Sequence, residues 1–241
     1  MELIIGCCGW PVGRQRYFAQ MAAVELQETF YDPPSPERAQ RLRQEAPQGF
    51  VFTMKVWQLV THPPSSPTYR RLKRTLSPEL LEGAGYFRPT SAVRMAWEET
   101  LKVARALKPL AIVFQCPASF QPTSENRAHL RQFFQEIERE GMILAWEPRG
   151  NWPAEDVLSL CRDLELVHCV DPFQGQSVWG QAVYWRLHGR GNYRYRYTNE
   201  ELLQLASWGQ QALAQGKNPV IVMFNNTNMW EDALRFLRLW A

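Results

Sequence analysis

The chain has 241 residues, 45% of them hydrophobic and 21% charged, enough apolar material for a full core and too much for a disordered segment. A formal net charge of +3 is mildly basic, which suits an anionic ligand without requiring one. No stretch approaches the roughly 18 uninterrupted apolar residues of a membrane span, and the acid-bearing start MELIIGCCGWPVG does not read as a secretion signal.

Taken in order, LIIGC (3–7) and AVELQ (23–27) predict the first two strands. Ser35-Pro36 opens a helix through Arg43, with proline at its first position. FVFTMKV (50–56) is the third strand. The stretch from Trp57 to Pro89 that follows far exceeds the usual loop of about 2–6 residues. Between 91 and 107, Val93, Ala96, Trp97, Leu101, Ala104 and Leu107 share one helical face, and Pro109 ends it. LAIVFQC (110–116) is the fourth strand, and Leu130, Phe133, Phe134 and Ile137 keep helical spacing after Ser124. ILAWE (143–147) is the fifth. Asn151-Trp152-Pro153 starts another helix that turns Val157, Leu160, Cys161 and Leu164 inward. LVHCV (166–170) is the sixth strand; Asp171 to Ala182 is too short and glycine-rich for a helix and predicts a loop. VYWRLHG (183–189) is the seventh, Thr198 and Glu201 form a capping box, VIVMFNN (220–226) is the eighth, and Leu234, Leu237 and Leu239 mark a last helix.

Near-continuous apolar strands alternating with helices predict a single-domain TIM (β/α)8 barrel over residues 1–241, with a long loop after strand three and one crossover lacking a full helix. The five cysteines are odd in number and contain no CxxC pair, so they read as the reduced thiols of a cytoplasmic protein. Barrel active sites gather where strands meet their following loops. There the sequence delivers Glu25 with Gln27 and Glu28, Lys55, Gln115, Glu147 with Arg149, Asp171, Arg186 with His188, and Asn225 with Asn226. Glu147 and Arg149 lie two apart, so they face one way and either share a ligand or neutralise each other.

In ordered combination, GCCGW, VELQETFYDPPSPERAQRLRQEAPQGFVFTMKV, TH (61–62), VFQCPASF, WEPRGNW, YWRLHGR and FNN resemble the motifs of the YecE-like family, domain of unknown function seventy-two. The resemblance spans nearly the whole chain and implies a TIM barrel akin to endonuclease-IV-like and sugar-isomerase-like barrels. It places the recurring polar set on Glu25, Lys55, His62, Gln115, Glu147, Arg149, Trp152, Asp171, Arg186, His188, Gly189, Asn225 and Asn226. Cys7-Cys8, Gln27 and the shortened EPRGNW depart from the family's usual Thr-Ser, asparagine and histidine-bearing segments.

These residue types suit hydrolysis of a phosphodiester, with nucleic acid as one candidate substrate. Arg149, Arg186 and Lys55 are candidates to stabilise charge on phosphoryl oxygens, Glu25 or Glu147 to activate water, and His188 or His62 to act as general acid. The catalytic candidates are thus Glu25, Glu147, His188, Lys55 and Arg149; the substrate-binding candidates are His62, Gln115, Trp152, Asp171, Arg186, Asn225 and Asn226. Glu25, Glu147, Asp171 and His188 are candidate ligands for a divalent ion, Mg2+ or Mn2+ by their oxygen-rich set. In HGRGNYRYRYT (188–198), Arg190, Arg194 and Arg196 alternate with Tyr193 and Tyr195, a pattern suited to single-stranded nucleic acid, and YRRLKR (69–74) adds more cations. The expected partner is therefore an anionic small molecule or a single strand. Two alternatives stay open. One is sugar or phospho-sugar isomerase or lyase chemistry, with Trp10, Trp57 and Trp152 as ring platforms; the other is a barrel that binds an anion without catalysis.

Overall fold

A computed structural model describes residues 3–240. Every predicted apolar run is a strand: β1 (Leu3–Cys8), β2 (Ala23–Leu26), β3 (Val51–Lys55), β4 (Ala111–Gln115), β5 (Ile143–Glu147), β6 (Val167–Val170), β7 (Val183–Leu187) and β8 (Val220–Phe224). All neighbours are parallel and the sheet closes in chain order, with β8 returning to β1 from Leu3↔Val220 to Cys7↔Phe224. This is a TIM barrel. Its helices are α1 (Arg14–Phe18), α2 (Glu28–Tyr31), α3 (Pro36–Glu45), α4 (Gln58–Thr61), α5 (Pro78–Gly83), α6 (Ser91–Leu107), α7 (Ser124–Glu136), α8 (Ala154–Asp163), α9 (Asn199–Ala214) and α10 (Met229–Trp240). Among the described residues no helix is long and apolar enough to cross a membrane.

Five of the ten described α-helices begin where a side-chain oxygen accepts an otherwise orphaned N–H. Ser35, Ser77, Thr90 and Thr123 cap α3, α5, α6 and α7, and Thr198 with Glu201 completes a capping box on α9. The stretch after β3 is more ordered than its length suggests. Ser66-Pro67 and Ser77-Pro78 each start a helical turn, giving the 3-10 segment Pro67–Arg71 and then α5. The loop from Asp171 to Ala182 contains no helix, as its composition predicts. Two details differ from the sequence reading. Asn151 does not open α8; Pro153 occupies the cap position, because Trp152 turns back to Gly150 and its indole is tied to the Phe120 carbonyl. Ile137 lies just outside α7, at an extended cap.

The core divides in two, as barrel geometry requires. The larger cluster fills the space between strands and helices, including Phe114, Phe133, Phe134 and Trp97 from β4, α6 and α7. The smaller one fills the lower barrel interior with Ile4, Ala23, Val113, Ala145, Ile221 and Met223. Small side chains at Cys8, Ala23, Ala145 and Cys169 leave room above for long polar groups from β2, β5 and β7.

Candidate active site at the barrel mouth

β7 carries Tyr184 and Arg186 two apart, so both enter the interior on one face of the strand. Arg186, 1% exposed, spans the barrel. Its Nε and Nη2 donate to the Glu25 carboxylate on β2 at 3.0 and 2.8 Å, and Nη1 donates to Glu147 on β5 and to Gln115 Oε1 on β4 at 3.2 Å. Glu25 also accepts from Gln27 Nε2 at 2.5 Å and from the Tyr184 hydroxyl at 2.8 Å. Because a carboxylate only accepts, Tyr184 spends its proton on Glu25, and Thr53 therefore donates to Tyr184 at 2.7 Å. Burial disfavours the Glu25 charge, but Arg186 outweighs it and holds the carboxyl below its ordinary range.

Glu147 is shared. Burial again opposes its charge, while Arg186 and Arg149 overcome it and set its pKa at about 2. Arg149 donates to Glu147 Oε1 through Nε at 3.0 Å and Nη2 at 2.7 Å, so the pair foreshadowed by their spacing does form. Nη2 also reaches His188 Nε2 at 2.6 Å. A guanidinium has no acceptor, so Nε2 accepts and the imidazole proton sits on Nδ1. Nδ1 faces Asp171 Oδ2 at 3.5 Å, and that same oxygen accepts the His188 backbone N–H at 2.9 Å. Burial lowers the His188 pKa below its ordinary value despite Asp171 and Glu147, which keeps the ring neutral. Gly189, at φ +84°, makes the turn that follows; a Cβ there would strike the Asn192 carbonyl.

Lys55 differs from the two arginines. It is 5% exposed, its Nζ donates to Gln115 Oε1 at 2.9 Å, and the Phe30 ring face lies 3.7 Å away. Burial, together with the nearby Arg186, pulls its pKa down to about 7. His62, packed edge-on to Phe30 and bonded to Thr61 through Nδ1 at 2.8 Å, is pushed to about 3 by burial and by Lys55 and Arg149. Above β5 to β7 opens a cavity of about 710 Å3, walled by Glu147, Arg149, Asp171, Gln174, His188 and Tyr193 among others.

Several candidate roles must be revised. Glu25 is 0% exposed with its oxygens filled, and Arg186 is enclosed by two carboxylates, so both shape the site from beneath rather than meet a ligand. Glu147 spends its oxygens on Arg186 and Arg149, and burial beside Lys55 and Arg149 disfavours the protonated His62 that a general acid requires. The Arg186 guanidinium stands between Glu25 and Glu147, and Glu147 and Asp171 meet opposite nitrogens of the His188 ring at 3.6 and 3.5 Å, so the four do not turn their donors toward one point. Among the described residues no group of three or more His, Cys, Asp or Glu could hold a metal ion. This donor set does not fit Mg2+ or Mn2+.

Trp152 packs on Trp146 and Phe120, Trp57 is fully buried and Trp10 packs on Tyr17 and Phe18, so none of the three is a platform in the cavity. Asn226 is a fastener: its Nδ2 donates to the Tyr195 carbonyl at 2.8 Å and to Asp232 on α10 at 2.7 Å. Asn225 is half-buried beside it, its backbone N–H bonded to the Leu187 carbonyl.

The basic–aromatic segment is also partly committed. Arg190 pairs with Glu201 at 2.9 Å, and the Tyr195 hydroxyl donates to the same carboxylate. Tyr193, Arg194 and Arg196 remain exposed, with the Tyr193 ring edge-on to His188. In the other basic stretch, Arg71 stacks on Tyr31 and Arg74 pairs with Asp32 at 2.5 Å. Sequence reasoning passed over Tyr184 and Thr53 as site residues, although Tyr184, Arg186 and His188 alternate on one strand face.

The family described as "Protein of unknown function DUF72" matches residues 13–241. No curated protein matches the chain in sequence. Among solved structures, a DUF72 family protein from Enterococcus faecalis is 19% identical at a TM-score of 0.75, with 99% of this chain and 95% of that one covered. A DUF72 family protein from Thermotoga maritima is 18% identical at 0.73, with 99% of both chains covered. A xylose isomerase domain containing protein from Salmonella typhimurium is 11% identical at 0.62, covering 98% of this chain and 94% of that one.

Proposed function

The chain belongs to the DUF72 family, and from that premise we propose that it is an enzyme cleaving a phosphate ester by acid–base chemistry centred on His188. The observation that carries this reading is the row Asp171–His188–Arg149 along the floor of the cavity above β5 to β7. His188 Nε2 is the basic atom, and Asp171 stands behind Nδ1 to steady the imidazolium formed when Nε2 takes a proton. Arg149, about one-third exposed, is the cation that can turn toward a phosphoryl group. Turning Nη2 toward the phosphoryl group frees His188 Nε2 for a water molecule or hydroxyl, while the Nε bond to Glu147, itself fixed by Arg186, tethers the guanidinium.

In the reaction, Nε2 removes the proton from the attacking oxygen, that oxygen forms a new bond to phosphorus as the P–O bond to the leaving group breaks, and the imidazolium returns the proton to the leaving-group oxygen. The depressed His188 pKa supports the role, since the ring stays in its basic form throughout the neutral range. The test is a panel of phosphomonoesters and phosphodiesters assayed with the native chain, His188→Gln and Asp171→Asn. Loss of the general base should cost about 100-fold or more in kcat/KM. Equal turnover by native chain and His188→Gln removes His188 from the chemistry.

A further inference from the structure

Lys55 is set apart from every other cation at the mouth. Arg186 and Arg149 each pair with carboxylates, whereas the Lys55 ammonium has an amide oxygen and a ring face as neighbours and no carboxylate within salt-bridge distance among the described residues. The chain has five lysines against 22 arginines. A cation meant only to hold phosphate could have been another arginine, with its fixed fork and permanent charge. A lysine can also shed its proton and become a nucleophile. It is nearly enclosed, and Arg186, which shares the Gln115 oxygen with it, repels its charge; burial and Arg186 together outweigh the pull of Glu25 and Glu147 on the ammonium. Phe30 favours the ammonium form to some extent, and it also fixes Nζ at the end of β3, the place where barrels present reacting groups.

We propose that Lys55 is a catalytic nucleophile that forms an imine with the open-chain carbonyl of a phosphorylated sugar whose phosphate is held by Arg149. This inference rests on the reading of Arg149 as the phosphate anchor and narrows the substrate to one that also carries an aldehyde or ketone. The neutral amine donates its lone pair to the carbonyl carbon, forming a C–N bond, and the carbonyl oxygen takes up a proton to give a carbinolamine. The nitrogen then loses a proton, the C–O bond breaks as that oxygen is protonated again, and one water leaves. The imine withdraws electrons from the adjacent carbon, so His188 Nε2 can take a proton there, the C–H electrons form a C=C bond, and the C–O bond to a phosphate one carbon further on breaks, the phosphate leaving with that electron pair. That elimination breaks a phosphate ester at carbon rather than at phosphorus. The same carbonyl chemistry occurs in a free sugar phosphate and in an abasic site of a nucleic-acid strand.

The experiment treats the full chain with ribose 5-phosphate, and separately with an oligonucleotide carrying one abasic site. Borohydride supplies hydride to reduce any imine to a stable amine, and peptide mapping by mass spectrometry locates it. An adduct on Lys55, absent from Lys73, Lys102, Lys108 and Lys217 and lost in Lys55→Arg, is the expected result; the probe that gives it identifies the source. No adduct with either probe, or one spread over exposed lysines and undiminished in Lys55→Arg, overturns the proposal. Calorimetric titration of ribose 5-phosphate and of the oligonucleotide into the native chain and Arg149→Met separates the two readings. Binding that depends on Arg149 without an adduct rejects the imine alone, whereas no binding to either probe rejects both.

Discussion

Arg186→Met removes the cation that Glu25 and Glu147 share. Glu147 keeps Arg149, at 2.7 Å, but Glu25 is left with Tyr184 and Gln27 alone at 0% exposure. Breaking a buried pair by deleting one partner costs about 3–5 kcal/mol, chiefly because the remaining charge is stranded. The loss should carry a pH signature. In the native chain both carboxyls titrate below their unfolded values, so their contribution is complete above about pH 4.5 and fades as the pH falls below it. In the variant, burial acts on Glu25 without Arg186, and its pKa rises above the unfolded value. Folding then takes up a proton, and the variant loses stability as the pH rises from about 4.5 to the new pKa. The deficit relative to the native chain is therefore smallest at low pH, includes the lost carboxylate contribution by about pH 4.5, and grows further to its full size at pH 8. Urea unfolding at several pH values measures it, and Glu25→Gln in the same background should restore part of the loss at pH 8. A deficit below about 1 kcal/mol at pH 8, or one of equal size at low pH, refutes the reasoning.

Glu147, held at about 2 against an ordinary 4.5, should contribute on the order of 3 kcal/mol, present above pH 4.5 and lost as the pH falls toward 2; acid titration of unfolding in Glu147→Gln should lack that component. Lys55 works in the opposite window. With its pKa at about 7 against 10.5 unfolded, native stability should rise between those values as the unfolded chain holds the extra proton, and Lys55→Met should flatten that rise. Glu201→Ala removes one half of the α9 capping box and the anchor of Arg190 and Tyr195, so a loss of about 1 kcal/mol should accompany faster amide exchange across 189–198. Gly189→Ala places a Cβ against the Asn192 carbonyl at a left-handed φ and should cost about 1–3 kcal/mol in thermal unfolding.

The barrel was legible because its signal is repeated: eight apolar runs bury both faces, and the order of the pairings follows from connection rules. The gathering of polar strand ends at one rim was legible for a similar reason, since strand alternation delivers them there. Individual roles were not. Nothing in the residue types distinguishes Arg186, enclosed by carboxylates from two other strands, from Arg149, which reaches the cavity; the difference arises from who stands across the barrel. Trp152 and Asn226 follow strand ends in sequence, yet one turns outward onto Phe120 and the other ties a loop to α10. Cross-barrel contacts join residues such as Glu25 and Arg186, 161 positions apart, and local pattern cannot see that far.

The crossover between β6 and β7 has a consequence for how this barrel could diversify. Where a full helix would ordinarily shield the outer wall, residues 171–182 instead place Asp171, Phe173, Gln174 and Gly175 along the cavity. One short, helix-free segment thus sets both the acid behind His188 and the width of the ligand's berth. Exchanging its central residues would re-tailor what enters without disturbing a single strand pairing, making the segment an interchangeable cuff on a fixed sleeve.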